Sequence, residues 1–391
     1  MKKMLDSLIV KLLVGVFLGI FIGLYAGEKL IVLIATVKYL LGQIIFFVVP
    51  IIILGFITPA IAKLKSNASK MLGTMIVLAY VSSVGAAAFS MIAGYALIPN
   101  LNISMASENL RTIPEIIFKL NIPPIMSVMS ALVLAIFVGL ATVRTGAVHI
   151  EKILYDLNDI TLDIVNKIII PILPFFITTT FATLAYEGII TKQLPIFLKV
   201  VVIILIGHFI WLALLYGIAG LISGKNPMRV LKKYGPAYLT AVGTMSSAAT
   251  LPVALKCAKS SDALDDEIAE FAIPLGSTIH LCGSVLTEVF FLMVVSKILY
   301  GSIPSLPTMI LFIVLLGIFA VGAPGVPGGT VMASIGIVIS VLGFNDTGVA
   351  LLLTIFAVQD SFGTACNVTG DGALALILDG LFKKKRSEKM A

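Results

Sequence analysis

An all-α polytopic membrane protein is the fold class this sequence predicts, on three observations. The first is composition: 59% of the 391 residues are hydrophobic and only 12% are charged, with mean hydropathy +1.12. A soluble domain carries about twice that charge, near 25%. The second is spacing. Apolar runs of about 20 residues recur from end to end, enough to cross the hydrocarbon core as helix. The third is where the basic residues fall. Lys2 and Lys3, then Lys63, Lys65 and Lys70, then Lys225, Arg229, Lys232 and Lys233, then Lys383 to Arg386 gather in short loops and at the two ends. That is the pattern of cytoplasmic loops beside helices. The net charge of +7 therefore marks topology, and no nucleic-acid partner is expected.

Each element follows in order. Spanning segments are predicted at about 8–26, 30–62, 71–98, 122–147, 160–185 and 196–222. The first follows "MKKMLDS" and could be a signal peptide. No convincing cleavage site follows it, so it is read as a retained helix. The second is too long for a vertical span and must tilt or extend beyond the bilayer. With the N-terminus inside, helix 2 ends inside at Lys63–Lys70, helix 4 near Arg144 and helix 6 at Lys225–Lys233, and all three ends are basic. The loop between helices 3 and 4 falls outside and is less basic. Both termini are then cytoplasmic.

The last 160 or so residues read differently. "GTMSSAATLP" interrupts the apolar text at 234–258, and "GAPGVPGGT" does so at 305–341. Broken backbone exposes N–H and C=O groups that lipid cannot satisfy, so it belongs inside protein or beside a water-filled cavity. Paired interruptions point to a transport site at a repeat interface. Two re-entrant helical hairpins are predicted there, each followed by a spanning helix, at 268–298 and 345–378. Together they suggest inverted repeats. Ordinary Gly/Pro-kinked helices are the alternative. Cys257, Cys282 and Cys366 lie at no metal-ligand spacing and read as small packing residues.

The chemistry concentrates in "AVQDSFGTACNVTGD". As helix, it places Asp360, Thr364, Asn367 and Asp371 on one face, with Gly363 beside them making room there. Charge at membrane depth faces a cavity or a partner, and basic residues are scarce at that depth. A bound cation or an ammonium group would neutralise the two carboxylates. In the preceding helix His280, Ser284 and Glu288 share a face. Pro274 and Gly276 suggest that backbone there is unwound and offers carbonyls to a cation. Glu288 is either a proton carrier or a neutral hydrogen-bonded residue. The hydroxyls of Ser246 and Ser247, with the free N–H groups of a hairpin tip, suit a carboxylate. "GVPGG" at 325–329 can form a gate. No nucleophile or metal cluster accompanies His280, so no enzyme is expected.

Four blocks carry a resemblance: "SSAATLP" at 246–252, "PLGSTIHLCGS" at 274–284, "GVPGG" at 325–329 and "NVTGD" at 367–371. In this order and spacing the chain resembles the dicarboxylate/amino acid:cation symporter family, the glutamate transporter superfamily that includes neutral amino acid exchangers. The resemblance implies eight spanning helices, two re-entrant hairpins and a homotrimer in the cell membrane. It implies an elevator-type transporter, with a mobile transport domain carried past a scaffold. Residues 1–70 would be scaffold helices 1 and 2, 71–98 transport-domain helix 3, and 99–222 mainly scaffold helices 4 and 5 with transport-domain helix 6. Hairpin 1 would span 232–258, helix 7 268–298, hairpin 2 305–341 and helix 8 345–378.

The resemblance also implies roles. Asp360 would bind the substrate amino group, and Thr364 and Asn367 would contact substrate. Ser247 would help hold the α-carboxylate, with Ser246, Ser284, Gly363, Val326 and Gly328 completing the substrate site. Asp371 with backbone of Gly276, His280 and Asn367 would form a sodium site, and backbone around Thr278 with the hairpin 2 tip another. A third site in the family uses an aspartate where this chain has Cys282, leaving Ser82, Ser83 and Asn367 as its remnant. Glu288 matches a family proton carrier.

The departures set the expected substrate. Family members for acidic substrates place an arginine where this chain has Gly363, or in hairpin 1 where it has Met245. A dicarboxylate would lack a bidentate partner for its second carboxylate, and an unpaired buried charge is costly. The expectation is sodium- or proton-coupled transport of a neutral amino acid, with no resident cofactor. Two alternatives stand beside it: a dicarboxylate symporter in which Lys256 or another group compensates, and a non-transporting receptor or channel-like protein on the same fold.

Overall fold

The computed structural model describes residues 8–62, 70–101, 103, 111 and 113–390. The topology marks Lys2, Lys3, Lys63 and Lys65 lie outside the described residues, as does most of the loop between the third and fourth predicted segments. Of the side chains at 383–386 nothing is described. The described chain is helical apart from turns, short connections and the stretch 113–127, so the predicted segment 122–147 becomes helix only at Val128.

The first half is a set of long apolar helices: α1 (Leu8–Tyr25), α2 (Glu28–Ala62), α3 (Lys70–Leu97) and α4 (Val128–Thr145). Then α5 (Val148–Ile164) runs through a π-helical turn at Val165–Ile169 into α6 (Ile170–Glu187), and α7 is Ile189–Ser223. The predicted segment 160–185 is thus the second part of a longer element that begins at Val148. Its polar first turns, "VHIEKILYDLND", hid it from a search for apolar runs. Small residues decide the packing of α1 on α6. A Cβ added at Gly19 would fall 2.4 Å from the Thr178 carbonyl oxygen, and one at Gly23 2.2 Å from that of Ala182. Such stripes let helix backbones approach closely in membrane proteins.

The second half contains the interruptions. After a short turn of helix, α8 (Met228–Leu231), come α9 (Gly235–Thr244) and α10 (Ser247–Lys259), a helix–turn–helix pair whose turn is Met245–Ser246. Then α11 (Asp266–Ile279) and α12 (Cys282–Tyr300) stand where one helix at 268–298 is predicted. The break falls at His280 and Leu281, whose backbones are extended or irregular (φ −115° and −125°). A second pair follows, α13 (Leu306–Gly322) and α14 (Gly329–Leu342), and then the unbroken α15 (Asp346–Met390). The predicted final helix stopped at 378, because the basic "KKKR" does not look apolar.

Among the described residues, six segments are by length and composition able to cross a membrane: Glu28–Pro59, Lys70–Leu101, Val148–Glu187, Ile196–Ser223, Asp266–Tyr300 and Asp346–Phe382. The helices α1, α4, α13 and α14 are shorter and apolar. Burial sorts them. In an 18-residue apolar stretch of each, 89% of the residues of Asp266–Tyr300 and of Asp346–Phe382 are buried, against 28% for Ile196–Ser223. On α7 the side chains of Leu198, Val202, Ile206 and Phe209 are exposed, as a lipid-facing helix requires. At the centre α12 and α15 pack on each other, and α3, α7, α9 and α11 pack around them. Both interrupted pairs therefore deliver their turns to the most buried part of the molecule.

Candidate functional site

The two turns meet. At the first, Met245 adopts a left-handed backbone (φ +53°), the one non-glycine among the described residues to do so. That conformation is costly for a side-chain-bearing residue. Ser246 then caps α10, accepting from the Ala249 amide at 3.2 Å. Its hydroxyl donates to the Gly325 carbonyl of the second turn at 2.7 Å. The Ala248 amide reaches the same carbonyl at 3.4 Å. The second turn, 323–328, closes on Gly328, whose φ of +71° suits glycine. Its N–H donates to a carboxylate oxygen of Asp360 at 2.6 Å. One turn thus hydrogen-bonds the other and the acidic helix.

Asp360, Thr364, Asn367 and Asp371 are all buried along one face of α15. Around the first three, Met245, Ser247, Leu281, Ser284, Pro324, Gly325, Val326 and Thr330 line a cavity. Its volume is about 10 Å³, room for one water at most. A molecule the size of an amino acid fits only if a wall moves, and the longest lining stretch without helical structure is the 323–328 turn. Among the described lining residues none is Lys, Arg or His. Lys256, the compensating cation of the dicarboxylate alternative, is exposed and does not line this space.

Asn367 anchors the break in the preceding helix. Its side-chain oxygen accepts from the amides of Gly283 (2.7 Å) and Ser284 (3.1 Å), and its Nδ2 donates to the Ser284 hydroxyl at 2.9 Å. Two free N–H groups at the start of α12 are satisfied in this way. Gly363 sits at the helix crossing beside that anchor. A Cβ there would stand 3.3 Å from Ser284 Cα, and one at Gly283 2.4 Å from the Gly363 carbonyl oxygen. The room expected beside Gly363 is filled by α12, and Gly363 does not line the cavity.

The far end of the stripe is differently built. His280 Nδ1 donates to Asp371 Oδ1 at 2.9 Å, and its Nε2 lies 2.9 Å from the hydroxyl of Ser82 on α3. Both His280 and Asp371 are buried. The backbone of Gly276 packs on the same carboxylate, since a Cβ there would fall 2.8 Å from Asp371 Oδ1. Of the other cation candidates, Ser83 has a buried hydroxyl with no partner among the described residues. Thr278 is exposed and turns its hydroxyl back to Leu275 at 2.7 Å. No cluster of three or more His, Cys, Asp or Glu side chains that could hold a metal ion occurs among the described residues. Cys257, Cys282 and Cys366 are free and buried.

Glu288, fully buried on α12, accepts from the Ser334 hydroxyl of α14. Its second oxygen has no partner among the described residues. Three features escaped the sequence. The ring of His280 meets Asp371. On α7, His208 approaches Thr287 at 2.9 Å and the Gly283 carbonyl at 3.1 Å. Lys225 pairs with buried Asp379 and donates to the Ala263 carbonyl at 2.6 Å. A lone polar residue in an apolar run signalled His208; nothing signalled which helix it would face.

The chain matches the Sodium:dicarboxylate symporter family over residues 8–381. It is similar to a putative sodium-dependent excitatory amino acid transporter, glt-6, of Caenorhabditis elegans: 30% identical over 164 residues, 42% of this chain and 30% of the relative. It is 25% identical over 296 residues to excitatory amino acid transporter 2 of Homo sapiens, covering 72% of this chain and 50% of that one. To excitatory amino acid transporter 3 of Mus musculus it is 30% identical over 267 residues, 66% of this chain and 50% of the relative. The matches thus span half or less of each of these relatives' own length.

Proposed function

This chain belongs to the sodium:dicarboxylate symporter family, and on that premise we propose that it is a cation-coupled secondary transporter of an amino acid. The observation that carries the proposal is Asp360. It is buried beside a small cavity walled in part by a non-helical turn, and the amide it accepts from belongs to that irregular turn rather than a helix. A substrate ammonium can take that place. Thr364, Asn367 and Ser284 would contact substrate, Val326 and Gly328 would close over it, and Ser246 and Ser247 would hold its carboxylate at the other tip. In this reading the two helix pairs are re-entrant hairpins of an elevator-type transport domain, the turn at 323–328 is the gate, and Glu288 is the candidate proton carrier. A homotrimer in the cell membrane with cytoplasmic termini completes it.

For the substrate's own side chain, the comparisons favour the acidic class that the sequence held as its alternative. The family's name states dicarboxylate, and the relatives' names state excitatory amino acid transport and, for glt-6, sodium dependence. A second carboxylate would then be met by hydroxyls and amides, because the described lining holds no basic side chain. That same lining favours a neutral amino acid as the second reading. Reconstituted protein given labelled aspartate, glutamate, serine, alanine and threonine, under imposed sodium or proton gradients, decides. Aspartate uptake without serine uptake supports the first reading, and the converse the second. No gradient-driven uptake of any amino acid would sink both.

A further inference from the structure

We propose that the imidazole of His280 occupies the place at Asp371 that a transported sodium ion would take, so that this carboxylate binds no sodium in this chain. The proposal deepens the transport reading and rests on it for its meaning as a statement about coupling. It is carried by the donor set. A hard cation such as sodium needs several oxygens free to turn toward it. Here several oxygens at the site already accept from protein donors. Asp371 Oδ1 accepts from His280 Nδ1 at 2.9 Å, and the Gly276 carbonyl accepts from the His280 amide at 2.9 Å. Asn367 Oδ1 accepts from two amides of α12, at 2.7 and 3.1 Å.

Packing fixes the ring there. Its second nitrogen meets the Ser82 hydroxyl at 2.9 Å. A Cβ added at Gly370 would fall 2.8 Å from its Cε1 and 3.1 Å from the Cys282 sulfur, so the ring has little freedom to swing aside. The bond chain Ser82–His280–Asp371 ties α3, the break before α12, and α15 together with protein groups alone. In a chain whose ring were replaced by a smaller side chain, the carboxylate would be left buried without a donor. A small cation would be its cheapest partner.

Sodium titration of the purified full chain in detergent tests this, with choline replacing sodium at constant ionic strength. The single tryptophan is the reporter: Trp211 lies against α3 at Gly85, where an added Cβ would fall 2.8 Å from its ring, one turn from Ser82. The signal is binding rather than uptake, so a chain that failed to transport would still answer. Asp371→Asn is expected to shift the sodium midpoint by less than about threefold, whatever sodium binds elsewhere. His280→Asn is expected to gain a sodium response that the double variant with Asp371→Asn loses. A shift of about threefold or more in Asp371→Asn alone overturns the proposal. So does the absence of any gained response in His280→Asn, which decides by itself if Asp371→Asn does not fold or the unaltered chain is silent to sodium.

Discussion

Asp360 and Asp371 are the same residue type on the same face of the same helix, three turns apart, and their surroundings differ in kind. Asp360 is held by one backbone amide from a turn, next to a small cavity. Asp371 is held by an imidazole that is itself bonded to a second helix, with glycine backbone pressed against it. The first arrangement can exchange its partner for a ligand at the cost of one hydrogen bond. The second cannot exchange its partner without leaving charge or polarity buried and unpaired. The lesson is that burial alone does not identify a ligand site; what distinguishes the two is whether the partner can leave.

Substitutions can break that comparison. The largest expected effect is at the closed end. His280→Ala leaves Asp371 buried without its donor and should cost about 1–3 kcal/mol of stability, read as a fall in the thermal unfolding midpoint of the detergent-purified protein. If the midpoint does not move, the pair is not structural and the two carboxylates are alike. At the open end, Asp360→Ala should leave the midpoint nearly unchanged. It should weaken amino acid binding by about 10- to 150-fold, as loss of a hydrogen bond between charged groups does. Unaltered affinity would remove Asp360 from the amine contact.

Smaller effects sharpen the picture of the two turns. Ser246→Ala removes both the cap of α10 and the tie to Gly325, a loss of about 1 kcal/mol. Hydrogen exchange at residues 323–328 should speed accordingly, with no change at Asp371's end. Glu288→Gln keeps an acceptor for Ser334 and should barely affect folding, yet it should abolish any dependence of uptake on a proton gradient. Retained dependence would assign the proton to another group.

Much of this was legible in the sequence, for identifiable reasons. The acidic stripe could be read because α15 is an unbroken helix, so the spacing of Asp360, Thr364, Asn367 and Asp371 maps directly onto one face. Both interruptions could be read because hydroxyls, proline and glycine clustered inside an apolar run mark backbone that leaves the helix. The basic loops were harder evidence of topology than of structure, and several lie outside the described residues. What the sequence hid was mostly tertiary. Gly363 reads as open space in one dimension, whereas the crossing of α12 fills it. The pairing of His280 with Asp371 depends on where the broken helix turns its ring, which spacing across 91 residues does not encode. The polar start of α5 was missed because only its later turns are apolar.

In the proposed transport reading, Asp360 recognises the amino group of a transported amino acid. Gradient-driven uptake into vesicles tests it most directly, comparing the unaltered chain with Asp360→Ala across aspartate, glutamate, serine, alanine and threonine. Uptake of at least one of these by the unaltered chain is expected, and its loss in the variant, with the variant still folded. Uptake that persists in Asp360→Ala, or no uptake of any amino acid by the unaltered chain, would contradict it.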